Sequence, residues 1–95
     1  MEDAVLVIYD VEEDKVRKKM FEACKDYGLV SVQFSAFFGR LGRNRREELF
    51  ARLGRLLSGE AGNVIVAPMC ESDVDRILAA GRVLGQTQES IVRLV

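Results

Sequence analysis

The sequence predicts a mixed α+β domain with the element order strand, helix, strand, strand, helix, strand. Two observations predict it. Short runs of aliphatic and β-branched residues alternate with longer segments whose apolar residues recur at helical spacing, and turn residues separate the two kinds of segment. This order is that of the ferredoxin-like sandwich, a βαββαβ fold, here extended by a C-terminal helix and strand.

The first predicted strand is the apolar run from Ala4 to Ile8, which continues into Tyr9 and Asp10. Side chains alternate between the faces of a strand, so Tyr9 is predicted to pack inside while Asp10 points the other way. A carboxylate at the mouth of a buried strand can reach water and a cation. Asp10 is therefore the candidate chemical residue, and the alternative for a lone aspartate here is a turn or helix-capping role.

The first helix is predicted to begin at the acidic run 12–14, where negative charge favours a helix N-terminus, and to end at Gly28. Its apolar residues are spaced four, four and three apart: Val16, Met20, Cys24 and Tyr27. Arg17 could contact phosphate or pair with Glu13, four residues earlier.

Residues 29–34 alternate in polarity and predict a half-exposed strand. Residues 36–41 either continue it or form a separate strand after a break near Ser35. Ser35 and Phe37 are predicted to shape this break and the core, and Ser35 is also a candidate nucleic-acid contact.

The second helix is predicted to follow a loop over 41–44, with Asn44 as its N-cap and Glu47 completing a capping box. Its apolar stripe comprises Leu49, Leu53, Leu56 and Leu57. A third or fourth strand, apolar on both faces at Val64, Ile65 and Val66, is predicted over 63–69, and Pro68 should close it.

A short helix over 73–80, capped by Ser72, is predicted after this strand, with Val74, Ile77 and Leu78 facing inward. The last six residues, 90–95, predict a terminal strand.

A chain of 95 residues makes one domain, and a modest core makes oligomerisation a natural supplement. We expect a ferredoxin-like unit over residues 1–81 and a tail over 82–95 whose terminal strand packs on a partner. The first and last core strands are apolar on both faces, but the helices cover only one. The uncovered apolar face therefore predicts a homodimer, in which a second copy covers it.

Composition excludes several classes of protein. No apolar run approaches the roughly 18 residues of a membrane span, and the acidic start lacks the basic region of a signal peptide, so we expect a cytoplasmic protein. The chain has no histidine, which excludes histidine bases and ligands. A metal would be held by oxygen, which favours Mg²⁺ or Mn²⁺ over zinc. A disulfide between Cys24 and Cys70 is not expected in a reducing compartment.

The net charge of −1 indicates no nucleic-acid partner by itself, but arginines are concentrated in one stretch. Because guanidinium groups bind phosphate in a bidentate manner, this stretch could form a nucleic-acid-binding surface. An ordinary solvated helix face explains it equally well. The six residues are Arg40, Arg43, Arg45, Arg46, Arg52 and Arg55.

Several motifs together resemble the Cas-two (Cas2) family of CRISPR-associated proteins. These are Tyr9-Asp10 at the end of a strand, Arg17, Gly28-Leu29, and Val32-Gln33-x-Ser35-x-Phe37-x-Gly39-x-Leu41. The resemblance covers essentially the whole chain. It departs from the family at three positions: Ser31 stands where a basic residue is frequent, Lys19 where arginine is frequent, and Ala36 where a β-branched residue is usual.

The resemblance implies a ferredoxin-fold homodimer in which Asp10 meets its mate near the two-fold axis and serves as catalytic residue and metal ligand. It also implies an Mg²⁺- or Mn²⁺-dependent endonuclease acting on RNA or duplex DNA, and a partner of the Cas-one (Cas1) integrase in spacer acquisition. The expected nucleic-acid contacts are Arg17, Lys19 and the six arginines, with Tyr9, Ser35 and Phe37 as supporting residues.

Two other classes stay open. One is a stand-alone toxin-type endoribonuclease that shares the fold and the aspartate. The other is a non-enzymatic ferredoxin-like binding domain. Copurification with an integrase favours the first class, and RNA cleavage without such a partner favours the toxin.

Overall fold

The computed structural model describes residues 2–81 and the backbone of residues 93–94. The predicted order of elements is confirmed: β1 (Glu2–Val11), α1 (Asp14–Asp26), β2 (Val30–Gln33), β3 (Ala36–Gly42), α2 (Arg43–Leu57) and β4 (Gly62–Met69). A short α3 (Glu71–Asp75) and a two-residue β5 (Leu78–Ala79) follow. β5 pairs in parallel with β6 (Arg93–Leu94).

The main sheet has the strand order β2-β3-β1-β4, and every pair in it is antiparallel. β1 lies inside the sheet, paired with β3 on one side and with β4 on the other, and it is apolar on both faces as the sequence predicted. β2 and β3 are separate strands joined by a tight hairpin, which answers the question left open at Ser35.

The core lies between one face of the sheet and the two long helices. Alternation along β1 directs Val5, Val7 and Tyr9 to this side, where they meet the apolar faces of α1 and α2. Cys24 is buried in this core and Cys70 is exposed, and neither forms a disulfide, as expected. Gly28 follows α1 with φ +80°, the left-handed conformation predicted for it.

The predicted start of the second helix is wrong. α2 begins at Arg43 directly after β3, with Gly42 as its N-cap and no side-chain capping bond, so Asn44 lies inside the first turn. The reason is the length of β3, whose pairing with β1 runs as far as Gly42 opposite Glu2 and leaves no loop.

The short helix also differs from its prediction. α3 begins after Cys70, not Ser72, because the Asp73 carboxylate accepts hydrogen bonds from the Cys70 backbone N–H (3.3 Å) and thiol (3.1 Å). α3 ends at Asp75, and Leu78 is 82% exposed in β5 where the sequence predicted it inward. Val74 is buried as predicted.

A strand at the C-terminus is confirmed for Arg93–Leu94. Met1, residues 82–92 and Val95 lie outside the described residues, so the packing of the tail on a partner stays a prediction. Over the part of the chain that the structure describes, no helix combines the length and the hydropathy needed to cross a membrane.

Candidate functional site

A cleft of about 800 Å³ opens where β1 ends, α1 begins and the β2–β3 hairpin turns. Three segments that are distant in sequence meet there because the hairpin places its turn beside the end of the central strand. All three segments contribute polar and aromatic side chains to the lining, among them Tyr9, Asp10, Arg17, Lys18, Phe34 and Ser35.

Asp10 occupies the last exposed position of β1, opposite Asn63 of β4. The neighbouring pair, Val11 opposite Gly62, is a close approach of two backbones. A Cβ atom at Gly62 would overlap the carbonyl oxygen of Asp10, and the φ of Gly62 is +140°. Glycine at position 62 therefore allows β4 to pair with β1 as far as Asp10, which holds the carboxylate on a rigid strand.

Tyr9 points to the opposite side of β1 and is only 1% exposed, so the predicted packing role is confirmed. Its ring stacks on Phe37, with ring centroids 6.3 Å apart. Burial raises the pKa of the Tyr9 phenol to about 12, with a further increase from Cys24 and an opposing effect of Arg17. Its hydroxyl has no hydrogen-bond partner among the described residues.

Phe37 is fully buried and also meets Phe21 edge-to-face, with ring centroids 5.1 Å apart. The two predicted supporting aromatics, Tyr9 and Phe37, thus form the apolar layer between Asp10 and α1.

Ser35 acts through its backbone. Its carbonyl oxygen accepts a hydrogen bond of 3.0 Å from the Tyr9 N–H, which ties the hairpin turn to the residue before Asp10. On the other side of the turn, the Ser31 hydroxyl donates to the carbonyl oxygen of Gln33 at 3.0 Å. The first bond fixes the hairpin relative to the end of β1, and the second stabilises the hairpin itself.

Arg17 fastens the loop between β1 and α1. Its guanidinium donates to the carbonyl oxygens of Val11 (2.9 Å) and Glu12 (3.4 Å) and pairs with the Asp14 carboxylate. The predicted pair with Glu13 is wrong, because Glu13 is the N-cap of α1 and its carboxylate accepts from the Lys15 N–H. The guanidinium therefore lies at the cleft and holds the backbone next to Asp10.

Sequence reasoning missed Asp14, Lys18 and Phe34, which line the same cleft. Asp14, Arg17, Lys18 and Phe21 are spaced three, one and three apart, the spacing of one helix face, and this signal could have found Lys18 once Arg17 was selected. Lys19 lies on the exposed side of α1 and does not line the cleft.

The six arginines do not line this cleft within residues 2–81, and most have partners in their own chain. Arg40 holds Glu71 through two hydrogen bonds of 2.8 and 3.0 Å, which lower the pKa of that carboxyl. The others contact acidic or aromatic side chains: Arg43 with Glu47, Arg46 with Asp3, Arg52 with Asp26, and Arg45 over the Tyr27 ring at 4.8 Å. For Arg55 no ion pair is found among the described residues.

The face of the sheet opposite the helices is apolar and only partly covered. Ala4 and Phe38 are buried there under Val74, but Ile65 is 54% exposed. A second cleft of about 250 Å³ lies on this face, between the sheet and the segment of Ile77 and Leu78. Asp10 is on the same side of β1 as Leu6 and Ile8, at the end of this surface.

One protomer supplies few metal ligands. Within the described residues, no group of three or more acidic or cysteine side chains is arranged to hold an ion. Asp10 and Asp14 both line the cleft, but the Asp14 carboxylate is paired with Arg17, so a divalent cation on Asp10 needs further ligands from a second chain or from water.

A family model described as CRISPR associated protein Cas2 matches residues 3–77, which include the main sheet except for Glu2, both long helices and the cleft. The chain belongs to the Cas2 family. Of the three classes that the sequence left open, the match supports the first.

Curated relatives of this Cas2 protein carry names that specify RNA. The CRISPR-associated endoribonuclease Cas2 of Desulforudis audaxviator is 58% identical over 69 residues, which are 73% of this chain and 65% of that protein. A second such protein, from Chloroflexus aurantiacus, is 44% identical over 62% of this chain and 69% of its own length. The match thus spans just under two thirds of the first relative.

A third relative, a CRISPR-associated endonuclease Cas1/endonuclease Cas2 fusion of Thermoproteus tenax, is 34% identical over 78% of this chain and 28% of the fusion. Among solved structures, a crystal structure of a Cas2 protein superposes with a TM-score of 0.64 at 30% identity, covering 73% of this chain and 76% of the other. A hypothetical protein of Thermus thermophilus gives 0.63 at 27% identity, covering 74% and 84%.

Proposed function

We propose that this Cas2 protein is a metal-dependent endoribonuclease of CRISPR adaptation, active as a homodimer that brings two Asp10 carboxylates together. The observation that carries the proposal is the cleft, where Asp10 on a rigid strand end lies beside the cationic Arg17 and Lys18. RNA is chosen because the curated relatives are named endoribonucleases.

The homodimer follows from the apolar sheet face. Exposed Ile8 and Ile65 are directly paired across β1 and β4, and contiguous apolar surface of this kind is removed from water by association. A two-fold axis near the end of β1 would bring the second Asp10 to the first, since Asp10 ends the same surface. The dimer thereby supplies the carboxylate that a single chain lacks.

Two Asp10 carboxylates fit Mg²⁺ or Mn²⁺, which prefer oxygen ligands and retain several waters. When bound, such an ion supplies the Lewis acidity for hydrolysis of a phosphodiester. The chain's own residues do the rest: Arg17 and Lys18 neutralise the phosphate that approaches Asp10, and Arg17 also keeps the Val11 backbone in place.

Contacts of this kind read the backbone and not the bases, so cleavage is expected to show little sequence preference and strong dependence on salt. The six arginines extend the basic surface beyond the cleft. Within residues 2–81, four of them form ion pairs, and surface ion pairs of this kind are weak, so a phosphate can replace the carboxylate partner.

A second candidate function is that of a DNA-holding partner of the Cas1 integrase. The observation that favours it is the relative in which Cas1 and Cas2 are fused in one chain. In this role the arginines bind duplex backbone and the Asp10 pair is not needed for activity.

The test compares wild type with Asp10→Asn, which keeps the size of the side chain and removes its charge. Labelled single-stranded RNA and duplex DNA are incubated with Mg²⁺, Mn²⁺ or chelator, and sedimentation confirms that both proteins remain dimers. RNA cleavage that needs metal and is lost in the variant supports the nuclease. No cleavage by either protein, with salt-sensitive DNA binding by both, supports the integrase partner instead.

A further inference from the structure

Phe34 is the most exposed of the large apolar side chains in residues 2–81, with 90% of its surface open to solvent. It lies at the turn of the β2–β3 hairpin, between the polar residues Gln33 and Ser35. A ring at this position removes almost no apolar surface from water in the single chain, so it contributes little to folding. A polar turn residue would serve the hairpin equally well.

The backbone of the turn that carries Phe34 is fixed relative to Asp10. The bond from the Tyr9 N–H to the Ser35 carbonyl oxygen connects the residue after Phe34 to the residue before Asp10. Phe34 lines the cleft on the α1 side, together with Arg17 and Lys18. It does not line the second cleft, which lies on the apolar sheet face.

A solvent-exposed ring beside two cations is the arrangement by which proteins hold single-stranded nucleic acid. The cations follow the phosphates while an unpaired base stacks on the ring, and any base can do so. In a duplex, the bases are already paired and stacked on both sides, so an exposed ring gains nothing from them.

From this arrangement we infer that Phe34 is the stacking platform for one unpaired base of the substrate, and that it makes the site selective for single-stranded over duplex RNA. The inference rests on the proposed function for the identity of the substrate as RNA. It assigns to Phe34 a role in binding, separate from the hydrolysis assigned to Asp10.

The test measures binding to a labelled single-stranded RNA and to the duplex of the same sequence, in chelator so that no metal-dependent cleavage occurs. Phe34→Ala should weaken single-strand binding on the order of 10-fold and leave duplex binding unchanged. Phe34→Trp, which keeps an aromatic ring, should bind single-stranded RNA as wild type does. Phe50→Ala is the matched control, since Phe50 is 51% exposed on α2 and does not line the cleft, and it should have no effect.

Replacing single nucleotides of the RNA by abasic ones identifies the stacked base. One abasic position should weaken wild-type binding to the level of Phe34→Ala, and should cause no further loss in that variant. Equal loss on single strand and duplex, no sensitive abasic position, or dissociation of the Phe34→Ala dimer would each overturn the inference. Loss of cleavage in Asp10→Asn is a separate result, because the stacking test needs no cleavage.

Discussion

The Tyr9 backbone N–H donates a 3.0 Å hydrogen bond to the carbonyl oxygen of Ser35. This bond extends the pairing of β1 with β3 one step beyond Ile8 and Ala36 and ties the end of the central strand to the hairpin turn, so that segments separate in sequence line one cleft. Tyr9 itself is buried, and its neighbour Asp10 is thereby presented at the surface from a position that the core makes rigid. The chemistry proposed for Asp10 therefore depends on the packing behind it.

Two glycines make a matched pair for stability. Gly62→Ala should destabilise the fold by about 2–4 kcal/mol, because its φ of +140° and the adjacent Asp10 carbonyl leave no space for a Cβ. Gly54→Ala should stabilise it by about 0.5–1 kcal/mol, since a Cβ atom on this helical glycine would meet no atom within 4 Å beyond its own stretch of helix. Urea unfolding measures both, and equal effects of the same sign would contradict the described close approach.

Arg17→Ala should lower the free energy of unfolding by about 1 kcal/mol, since the lost bonds to Val11 and Asp14 are partly exposed. The rate of RNA cleavage should fall by more than this small loss of stability can explain, because the backbone beside Asp10 loosens and a phosphate-binding charge is removed. Lys19→Ala is the control on the same helix and should retain stability and most cleavage. Equal cleavage rates of the two variants would contradict the proposed role of Arg17 in phosphate binding.

Ile65→Glu should give a folded monomer. Ile65 is 54% exposed in the single chain, so its replacement costs little within the protomer, but a charge on the apolar sheet face opposes association. Sedimentation velocity of wild type and variant measures the change. Phe50→Glu, which places the same charge on the helical side, should leave the dimer intact; a monomer there, or a dimer in Ile65→Glu, would place the interface elsewhere.

Stability should fall as pH rises from about 9 to 12. Burial raises the pKa of the Cys24 thiol from 9.0 to about 12 and that of the Tyr9 phenol from 10.0 to about 12. Above pH 9 for Cys24 and above pH 10 for Tyr9, the unfolded chain releases a proton that the folded chain retains, so the free energy of unfolding falls by at most about 1.4 kcal/mol per pH unit for each group. Cys24→Ala should reduce the slope measured by urea unfolding between pH 9 and 11, and an unchanged slope would contradict this explanation.

The sequence predicted the fold where periodicity is strong. The apolar run of β1 and the spacing of Met20, Cys24 and Tyr27 identified the central strand and α1 because burial of a regular pattern leaves few alternatives. The start of α2 was missed because the pairing of β3 with β1, a contact between distant segments, decides where the strand stops. The capping potential of Asn44 could not reveal it.

The candidate site was predictable in part for the same reason. Asp10 and Arg17 belong to a motif whose order along the chain can be recognised. Phe34 could not be predicted as a site residue, because it reaches the cleft only when the hairpin folds beside α1. The partners of the arginines, such as Glu71 for Arg40 and Asp3 for Arg46, are 31 and 43 residues away and depend on the tertiary fold.

In the proposed site, two Asp10 carboxylates act together across the dimer. The most direct measurement uses a heterodimer with one wild-type and one Asp10→Asn protomer, isolated through two different tags and assayed on single-stranded RNA with Mn²⁺ or Mg²⁺. If the two carboxylates share one cation, this heterodimer should be nearly as inactive as the dimer with both substitutions. Retention of half the wild-type rate would mean that each protomer works alone, and would contradict the paired site.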